Sequence, residues 1–309
     1  MLSIYKNKEQ ELLRLDDIAN GCWINAVDPT PDEIKQLEDW GIEADLINYS
    51  LDLDEMARIE RDEGYLLIML RIPFFQGTGV DIPYITIPLG IILTDRFVAT
   101  ICRYDNNITR TLCNGRYRGL RTAKRYRFAL YIFLETAARY LSNLREINRT
   151  VDALEDQLQK STRNKELLEI LKFQKSLVYF TTGLRSNGVM MERLQRMQFF
   201  KQFEDDRELL DDVITENQQA IEMTVIANNI LSSMMDAFAS IISNNMNTVI
   251  KALAALTIII NIPTIVTSFF GMNVALPFEE HIYAYLIILT GSLALTLIAV
   301  FIFMRRDWF

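Results

Sequence analysis

The sequence predicts an α/β cytosolic N-terminal domain joined by a long stalk helix to a two-helix transmembrane domain. Three observations support this fold class: short runs of β-branched and aromatic residues in the first 120 positions, helical periodicity after them, and two long uncharged segments near the C-terminus. We therefore place the α/β domain at residues 1–120, a helical region with the stalk at 121–250, and the transmembrane domain at 251–309.

The first domain has four predicted strands, each rich in β-branched and aromatic residues and bounded by Gly, Pro, Asp or Asn: Trp23–Val27, Tyr65–Phe75, Tyr84–Leu93 and Phe97–Arg103. Thr30-Pro31-Asp32-Glu33 is a capping-box sequence that predicts a helix ending at Trp40. Further helices are expected near 121–160, 164–198 and 204–271, with breaks at Ser161–Asn164 and Phe199–Phe203. Gly183 and Gly188 are unfavourable inside the second of these.

Composition excludes several classes of function. The net charge of −8 argues against nucleic acid as a partner. Three cysteines without metal-ligand spacing indicate reduced thiols, and a single histidine removes most histidine-based catalysis and zinc sites. The N-terminus lacks the pattern of a signal peptide. A basic segment, 103–127, and an acidic one, 204–250, are each typical of solvated helix surfaces.

Two uncharged segments, at about 252–271 and 282–304, are long enough to cross a bilayer as helices. Lys251 precedes the first span, and Arg305 and Arg306 follow the second. The outer loop between the spans carries only acidic charges, Glu279 and Glu280. The positive-inside rule therefore predicts that both termini are cytoplasmic.

The stalk helix carries an apolar stripe that continues from soluble sequence into the first span. Its members recur at steps of four and three: Ile242, Met246, Val249, Leu253, Leu256 and Ile260. Such a stripe must be buried against other helices. A homo-oligomer is the simplest arrangement that does so.

Polar side chains follow one face of the first span: Thr257, Asn261, Thr264 and Ser268, at steps of four, three and four. A carboxamide in the middle of a bilayer must face protein or water. The stripe alone is compatible with interhelical hydrogen bonding and with the lining of a pore. The second span has few polar residues and is typical of an outer, lipid-facing helix, so we favour pore lining by the first span.

A pathway lined in this way carries no charge. It suits an ion that keeps its water shell, as the small and strongly hydrated Mg²⁺ does. Thiolate or imidazole ligands, which a selective zinc site would use, are missing from the stripe.

Gly271-Met272-Asn273, at the outer end of the first span and before a short acidic loop, resembles the signature of the CorA family of magnesium transporters. The resemblance extends from about residue 10 to the C-terminus. It includes the segment 243–273, the terminus Arg305-Arg306-Asp307-Trp308, and the weaker run Asp54, Arg58-Ile59-Glu60 and Tyr65.

This resemblance implies a homopentameric funnel in the bilayer with Mg²⁺ as its substrate. Gly271, Met272 and Asn273 would form the selectivity filter. The pore positions of the family fall on Asn247, Ile250, Leu253, Asn261, Thr264, Ser268 and Asn273, and our own stripe adds Thr257. Ile250 and Leu253 would form apolar rings that gate the pore by excluding water.

The family is also closed by Mg²⁺ bound between cytosolic domains. The resemblance places Asp212 at one such position and suggests Asp81 of a neighbouring copy as its partner; a solvated carboxylate is the alternative for both. This sequence departs from the family at Asn261, where well-known members carry methionine, at Phe270, at Pro263 and in the outer loop. These departures leave the selected ion open.

We therefore expect passive influx of divalent metal ions, Mg²⁺ with Co²⁺ and Ni²⁺, across the plasma membrane. A zinc or other transition-metal transporter on the same scaffold is the first alternative. A membrane-anchored metal sensor that transports nothing is the second. No nucleophile–base pair or phosphate-binding loop indicates an enzyme.

Overall fold

The computed structural model describes residues 1–8, 11–114, 117, 119–160, 164–197, 200, 203–272 and 282–306. The chain divides into two compact units, Met1–Ser232 and Ser233–Phe309. The predicted domain boundaries after residues 120 and 250 stay predictions, because the first unit contains both the α/β part and the helices that pack on it.

The first unit is built on a seven-stranded sheet with the strand order β2-β1-β3-β7-β6-β5-β4. Neighbouring strands are antiparallel except β3 and β7, which are parallel. The strands are β1 (Leu2–Lys8), β2 (Glu11–Leu15), β3 (Cys22–Val27), β4 (Arg58–Asp62), β5 (Tyr65–Phe75), β6 (Tyr84–Thr94) and β7 (Phe97–Cys102).

The four predicted strands correspond to β3, β5, β6 and β7, which form the centre of the sheet. They are covered on both faces, so they consist of nearly continuous apolar runs. One face packs on α1 (Pro31–Asp39) and α2 (Ala44–Leu51). The other face packs on α4 (Arg125–Lys160) and α5 (Asn164–Arg196).

Helix α1 begins at the predicted capping box. The Glu33 amide donates to Thr30 Oγ1 over 3.3 Å, and the Glu33 carboxylate accepts from the Thr30 amide over 2.9 Å. The same carboxylate also accepts from the Met1 ammonium, at 2.9 Å, and from the Leu2 amide, at 2.7 Å. Glu33 therefore joins the start of β1 to the start of α1. Gly41 follows the helix at φ 92°, a conformation that favours glycine.

A buried polar network fixes α4 and α5 on the sheet. Strand β4 reaches only as far as Met69 on β5, so the backbone of Arg71 lies beyond its end. The Asn187 carboxamide of α5 bonds both backbone groups of Arg71, at 2.9 and 2.7 Å, and Tyr140 of α4 donates to the Arg71 carbonyl at 3.1 Å. Asn187 thus completes the hydrogen bonding that a longer edge strand would supply.

The long helices agree closely with the predicted ones. Helix α5 is continuous through Gly183 and Gly188. Close packing explains the glycines: a Cβ at Gly183 would lie 2.8 Å from Tyr140 Oη, and one at Gly188 would lie 3.3 Å from Asn217 Nδ2. Helix α6 runs from Glu204 to Phe270, through Pro263. In its first turn Asp205 and Asp206 form ion pairs with Arg127 of α4. The last helix, α7, covers Ala284–Arg305.

Five elements were not predicted from the sequence. Strands β1, β2 and β4 are edge or near-edge strands with many polar residues, so they lack the apolar runs of the central strands. Helices α2 and α3 (Asn107–Cys113) have eight and seven residues, too few for a clear period. The signal for α3 was Asn106, whose side chain accepts from the Thr109 amide as an N-cap.

A substitution at Gly90 on β6 tests how closely α2 packs on the sheet. A Cβ at this position would lie 1.9 Å from Ser50 Oγ and 2.6 Å from Ser50 Cβ, and Ser50 is fully buried. We expect Gly90→Ala to destabilise the fold by about 1–3 kcal/mol because neither element can give way. Gly79→Ala is the matched control, since nothing lies within 4 Å of its Cβ. Thermal unfolding followed by circular dichroism measures both; equal melting temperatures would contradict the packing described here.

Candidate functional site

The second unit leaves almost all of its apolar surface uncovered in a single copy. Within residues 251–272 and 282–306, only Ala255 and Ser292 are buried. Both helices are long and apolar enough to cross a membrane, with peak mean hydropathies of 2.1 and 2.7. An uncovered apolar surface of this extent requires lipid or further copies of the chain around it.

The predicted polar stripe lies on an open face of α6. Thr257, Asn261, Thr264 and Ser268 are all exposed. The less exposed residues of the same span cluster on the opposite side of the helix, at Ala255, Ile259, Ile262 and Val266. The stripe is therefore not sealed between the two helices of one subunit.

The threonine hydroxyls of the stripe donate hydrogen bonds to backbone carbonyls of their own helix. Thr257 Oγ1 donates to the Leu253 carbonyl at 2.8 Å, and Thr264 Oγ1 donates to the Ile260 carbonyl at 3.2 Å. This bonding within the helix leaves hydroxyl lone pairs facing outward. Asn261 differs, because its carboxamide has no hydrogen-bond partner among the described residues. An amide without a partner in an apolar medium costs roughly 4–8 kcal/mol, so Asn261 must meet water or another chain.

The positions predicted to line the cytosolic end of the pathway, Asn247, Ile250 and Leu253, are also exposed, Ile250 by 55% and Leu253 by 63%. Asn247 and Ile250 share one open depression along α6 with Ser240 and Asn244. The sequence reasoning missed Ser240 and Asn244. The available signal was the spacing of Ser240, Asn244 and Asn247 at steps of four and three, which extends the polar face of the helix.

Helix α6 ends at the predicted signature. The Gly271 amide donates to the Thr267 carbonyl at 3.0 Å, and the Met272 amide donates to the Phe269 carbonyl at 3.4 Å. Gly271 does not have the left-handed backbone of a glycine helix cap. A Cβ there would instead lie 3.3 Å from the Thr267 carbonyl oxygen. The helical backbone of Gly271 therefore does not by itself require glycine. Asn273, Glu279 and Glu280 lie outside the described residues.

The two predicted regulatory carboxylates lie in the first unit and do not form a metal site within one copy. Asp81, in the turn between β5 and β6, accepts from Lys175 Nζ at 2.7 Å. Asp212 is exposed on α6. Across the described residues, no three His, Cys, Asp or Glu side chains converge to hold a metal.

Apart from Ile242, which is half-buried, the apolar seam predicted for oligomerisation is exposed as well. Met246, Val249 and Leu253 are uncovered by 60–66%, and Leu256 and Ile260 by 48% and 59%. This seam lies beside the polar stripe on the same side of α6. An arrangement of several copies that buries the seam would bring the polar stripes toward each other.

Comparison with known proteins gives consistent matches over the whole chain. Residues 19–306 match the sequence profile of the family described as CorA-like Mg²⁺ transporter protein. A cobalt/magnesium transport protein CorA of Methanocaldococcus jannaschii is 29% identical over 297 residues, which cover 93% of this chain and 90% of the relative. A magnesium transport protein CorA of Helicobacter pylori is 28% identical over 105 residues, about a third of either chain.

The fold matches a solved structure of the same archaeal protein. The complete structure of the CorA magnesium transporter from M. jannaschii aligns with a TM-score of 0.87 and 26% identity, over 100% of this chain and 99% of that one. The predicted fold class is therefore confirmed: an α/β N-terminal part, a long helix and C-terminal apolar helices.

The environment of the polar stripe can be measured by cysteine labelling in native membranes. We expect Asn261→Cys and Thr257→Cys to react with a small water-soluble thiol reagent, because water must reach this face. Val266→Cys, on the opposite face of α6, and Leu293→Cys, on α7, are the matched controls and should stay unlabelled.

Native thiols will interfere little with this labelling. Cys22 and Cys102 are buried, and burial raises the pKa of Cys102 to about 11, so little of it is thiolate near neutral pH. Replacing the half-buried Cys113 by serine removes the remaining background. Equal labelling at positions 261 and 266 would contradict a wet polar face.

Proposed function

The chain belongs to the CorA-like Mg²⁺ transporter family, and on that premise we propose that it carries hydrated divalent cations, chiefly Mg²⁺ and also Co²⁺ and Ni²⁺, into the cytoplasm. The single observation that carries this proposal is the open polar face of α6, with Asn261 unpartnered at the middle of an apolar span. Members of the family are transporters, and we propose no catalytic role for any residue.

The proposed assembly is a homopentamer in the plasma membrane with both termini in the cytoplasm. Exposure of the α6 seam in a single copy supports an assembly, since these apolar residues need partners. Arg305 and Arg306 at the end of α7 support the orientation. Five copies of α6 would surround one axis with Asn247, Ile250, Leu253, Thr257, Asn261, Thr264 and Ser268 facing it.

The chemistry of this face suits an ion that remains hydrated. Hydroxyl and carboxamide oxygens accept hydrogen bonds from the polarised water around a divalent cation, and they place no fixed charge that would trap it. Five asparagines at position 261 would give one such ring, and Asn273 would give another at the outer mouth. Gly271, by lacking a side chain, would leave room there for a cation with its first water shell.

The driving force needs no chemical step by the protein. An inside-negative potential of 100 mV contributes about 4.6 kcal/mol for a divalent cation, twice the value for one elementary charge. Passive influx along this gradient is sufficient for uptake. Glu279 and Glu280 in the outer loop would raise the local concentration of cations at the entrance.

We propose that Ile250 and Leu253 close the pathway when transport stops. Apolar rings exclude water from a narrow pore and so block hydrated ions. Asp212 is one proposed site where cytosolic Mg²⁺ favours this closed state, and Asp81 is a separate one, because Asp81 is bonded to Lys175 of α5, far along the helix from the level of Asp212. Lys175 would have to release Asp81 for that role, because it now holds the carboxylate.

The outer ring is tested by Asn273→Ala. We expect uptake of Mg²⁺ into proteoliposomes to fall by about ten- to a hundredfold, since each subunit loses a polar contact to a charged, hydrated ligand. The exposed Asn48→Ala, on α2, is the matched control. A panel of Mg²⁺, Co²⁺, Ni²⁺ and Zn²⁺, with and without a pH gradient, separates the proposal from a proton-coupled zinc transporter. Transport of Zn²⁺ alone would refute Mg²⁺ as cargo, and no transport at all would favour a sensor.

The proposed gate is tested by Leu253→Asn. A polar ring in place of an apolar one should wet the constriction and raise Mg²⁺ flux under conditions that close the parent protein, by roughly tenfold if wetting the ring removes about 1.4 kcal/mol from the barrier. Ile258→Asn, on α6 but off both the polar face and the apolar seam, is the control. Unchanged or lower flux in the first variant with normal assembly would place the gate elsewhere.

A further inference from the structure

The outer face of α5 carries an apolar and basic stripe that nothing covers in one copy. Leu168, Leu171, Val178 and Val189 are exposed by 60, 37, 57 and 56%, and they follow a heptad spacing that also contains Lys175, Thr182 and Arg185. Arg193 and Arg196 extend the stripe, and within the described residues neither they nor Arg185 form a salt bridge. A heptad stripe of this kind is typical of a helix that packs against another helix.

The outer face of α6 in the same unit has the opposite charge. Glu208, Asp211 and Glu222 are exposed there without salt bridges in the described part of the chain, and Ile226 and Ile230 follow them, exposed by 58 and 53%. Between Glu204 and Ser232 the helix has a single basic residue, Arg207. One unit therefore presents a basic apolar face and an acidic apolar face of similar length.

Three hydrogen bonds show which residues of the two antiparallel helices stand at the same level. Gln195 Nε2 donates to Asp211 Oδ1 at 3.1 Å, Asn217 Nδ2 donates to the Leu184 carbonyl at 3.2 Å, and Gln174 Nε2 donates to Ser232 Oγ at 3.0 Å. Arg193 is therefore level with Asp211. By the same pairing Val178 is level with Ile226.

In a ring with cyclic symmetry, the same residues of α5 and α6 also stand at equal heights in neighbouring copies. A rotation about the axis of a ring moves no residue along that axis. When the helices run along the axis, a residue of α5 therefore stands at the same height as the same residues of α6 in its own copy and in the next copy. Basic residues would then stand opposite acidic ones and apolar opposite apolar. Matching of charge and of apolar surface at the same levels is what a contact between copies requires.

We propose that the outer face of α5 in one copy packs against the outer face of α6 in the next copy, with Val178 on Ile226 and Arg193 on the acidic turn at Glu208 and Asp211. This inference rests on the ring assembly of the proposed function. The contact is heterologous: each copy uses both faces, so a closed ring leaves neither uncovered. The apolar pair supplies most of the contact energy, while each exposed ion pair changes association by less than about fivefold.

The contact is tested in the full-length protein by disulfide formation between differently tagged copies. Both copies carry Cys113→Ser. One copy then carries Val178→Cys and the other carries Ile226→Cys; after co-expression, membranes are oxidised with copper phenanthroline. A disulfide requires Cα atoms within about 7 Å, so we expect a mixed-tag dimer on non-reducing gels. Leu168→Cys paired with Ile226→Cys is the matched control, displaced by ten residues or about 15 Å along the helix, and should give none.

Three results would overturn the proposal: no mixed dimer, equal yield from the control pair, or dimers formed by Ile226→Cys alone, which would place that residue at the axis. A charge exchange gives an independent measurement that does not depend on the cysteines. Arg193→Glu should lower the yield of cross-linked dimer by about two- to fivefold, and adding Asp211→Arg in the partner copy should restore it. If the second substitution does not restore the yield, Arg193 and Asp211 do not form an ion pair between copies.

Metal uptake by the same parent protein keeps the two proposals separate. Uptake without the mixed dimer would overturn the interface and leave the proposed function intact. The mixed dimer without uptake of any divalent cation would support the interface and contradict the proposed function.

Discussion

One constraint underlies the whole molecule: a polar side chain in the bilayer must find a partner, because lipid offers none. Helix α6 has a row of such side chains on a face that its own subunit leaves open, with Asn261 at its centre. The threonines can bond to their own helix, but a carboxamide has two donors and an acceptor that a straight helix cannot satisfy. Asn261 therefore requires water or other copies of the chain, and the water-filled axis that we propose between several copies would supply both.

The first unit holds the N-terminal part of this helix through polar contacts. Asp205 and Asp206 are paired with Arg127 of α4, and Asn217 bonds to the backbone of α5. Helix α5 is itself fixed on the sheet by Asn187, which bonds the backbone of β5 where the edge strand has ended. Polar contacts therefore fix the N-terminal part of α6, which belongs to the first unit, on α4 and α5.

The sequence predicted most of this architecture because its strongest patterns come from burial. Central strands, long helices and spans all depend on apolar runs or periods, and all of them were found close to their predicted bounds. Edge strands such as β4 and short helices such as α2 have no such pattern. The polar stripe was predictable from spacing alone. The exposure of this polar face could not be predicted in the same way. It depends on the burial of the opposite face, at Ala255 and Val266, and neither residue differs in type from its neighbours.

In the proposed assembly, Asn261 also limits how the pathway could be closed. A carboxamide ring near the middle of the span would hold water, so this region cannot exclude ions by dewetting. The apolar positions on the same face lie nearer the N-terminus of α6, at Ile250 and Leu253, between the polar groups at Asn247 and Thr257. Any hydrophobic barrier on this face is consequently only about two helical turns long. In the proposed assembly, a barrier this short would be opened by a small separation of the α6 helices.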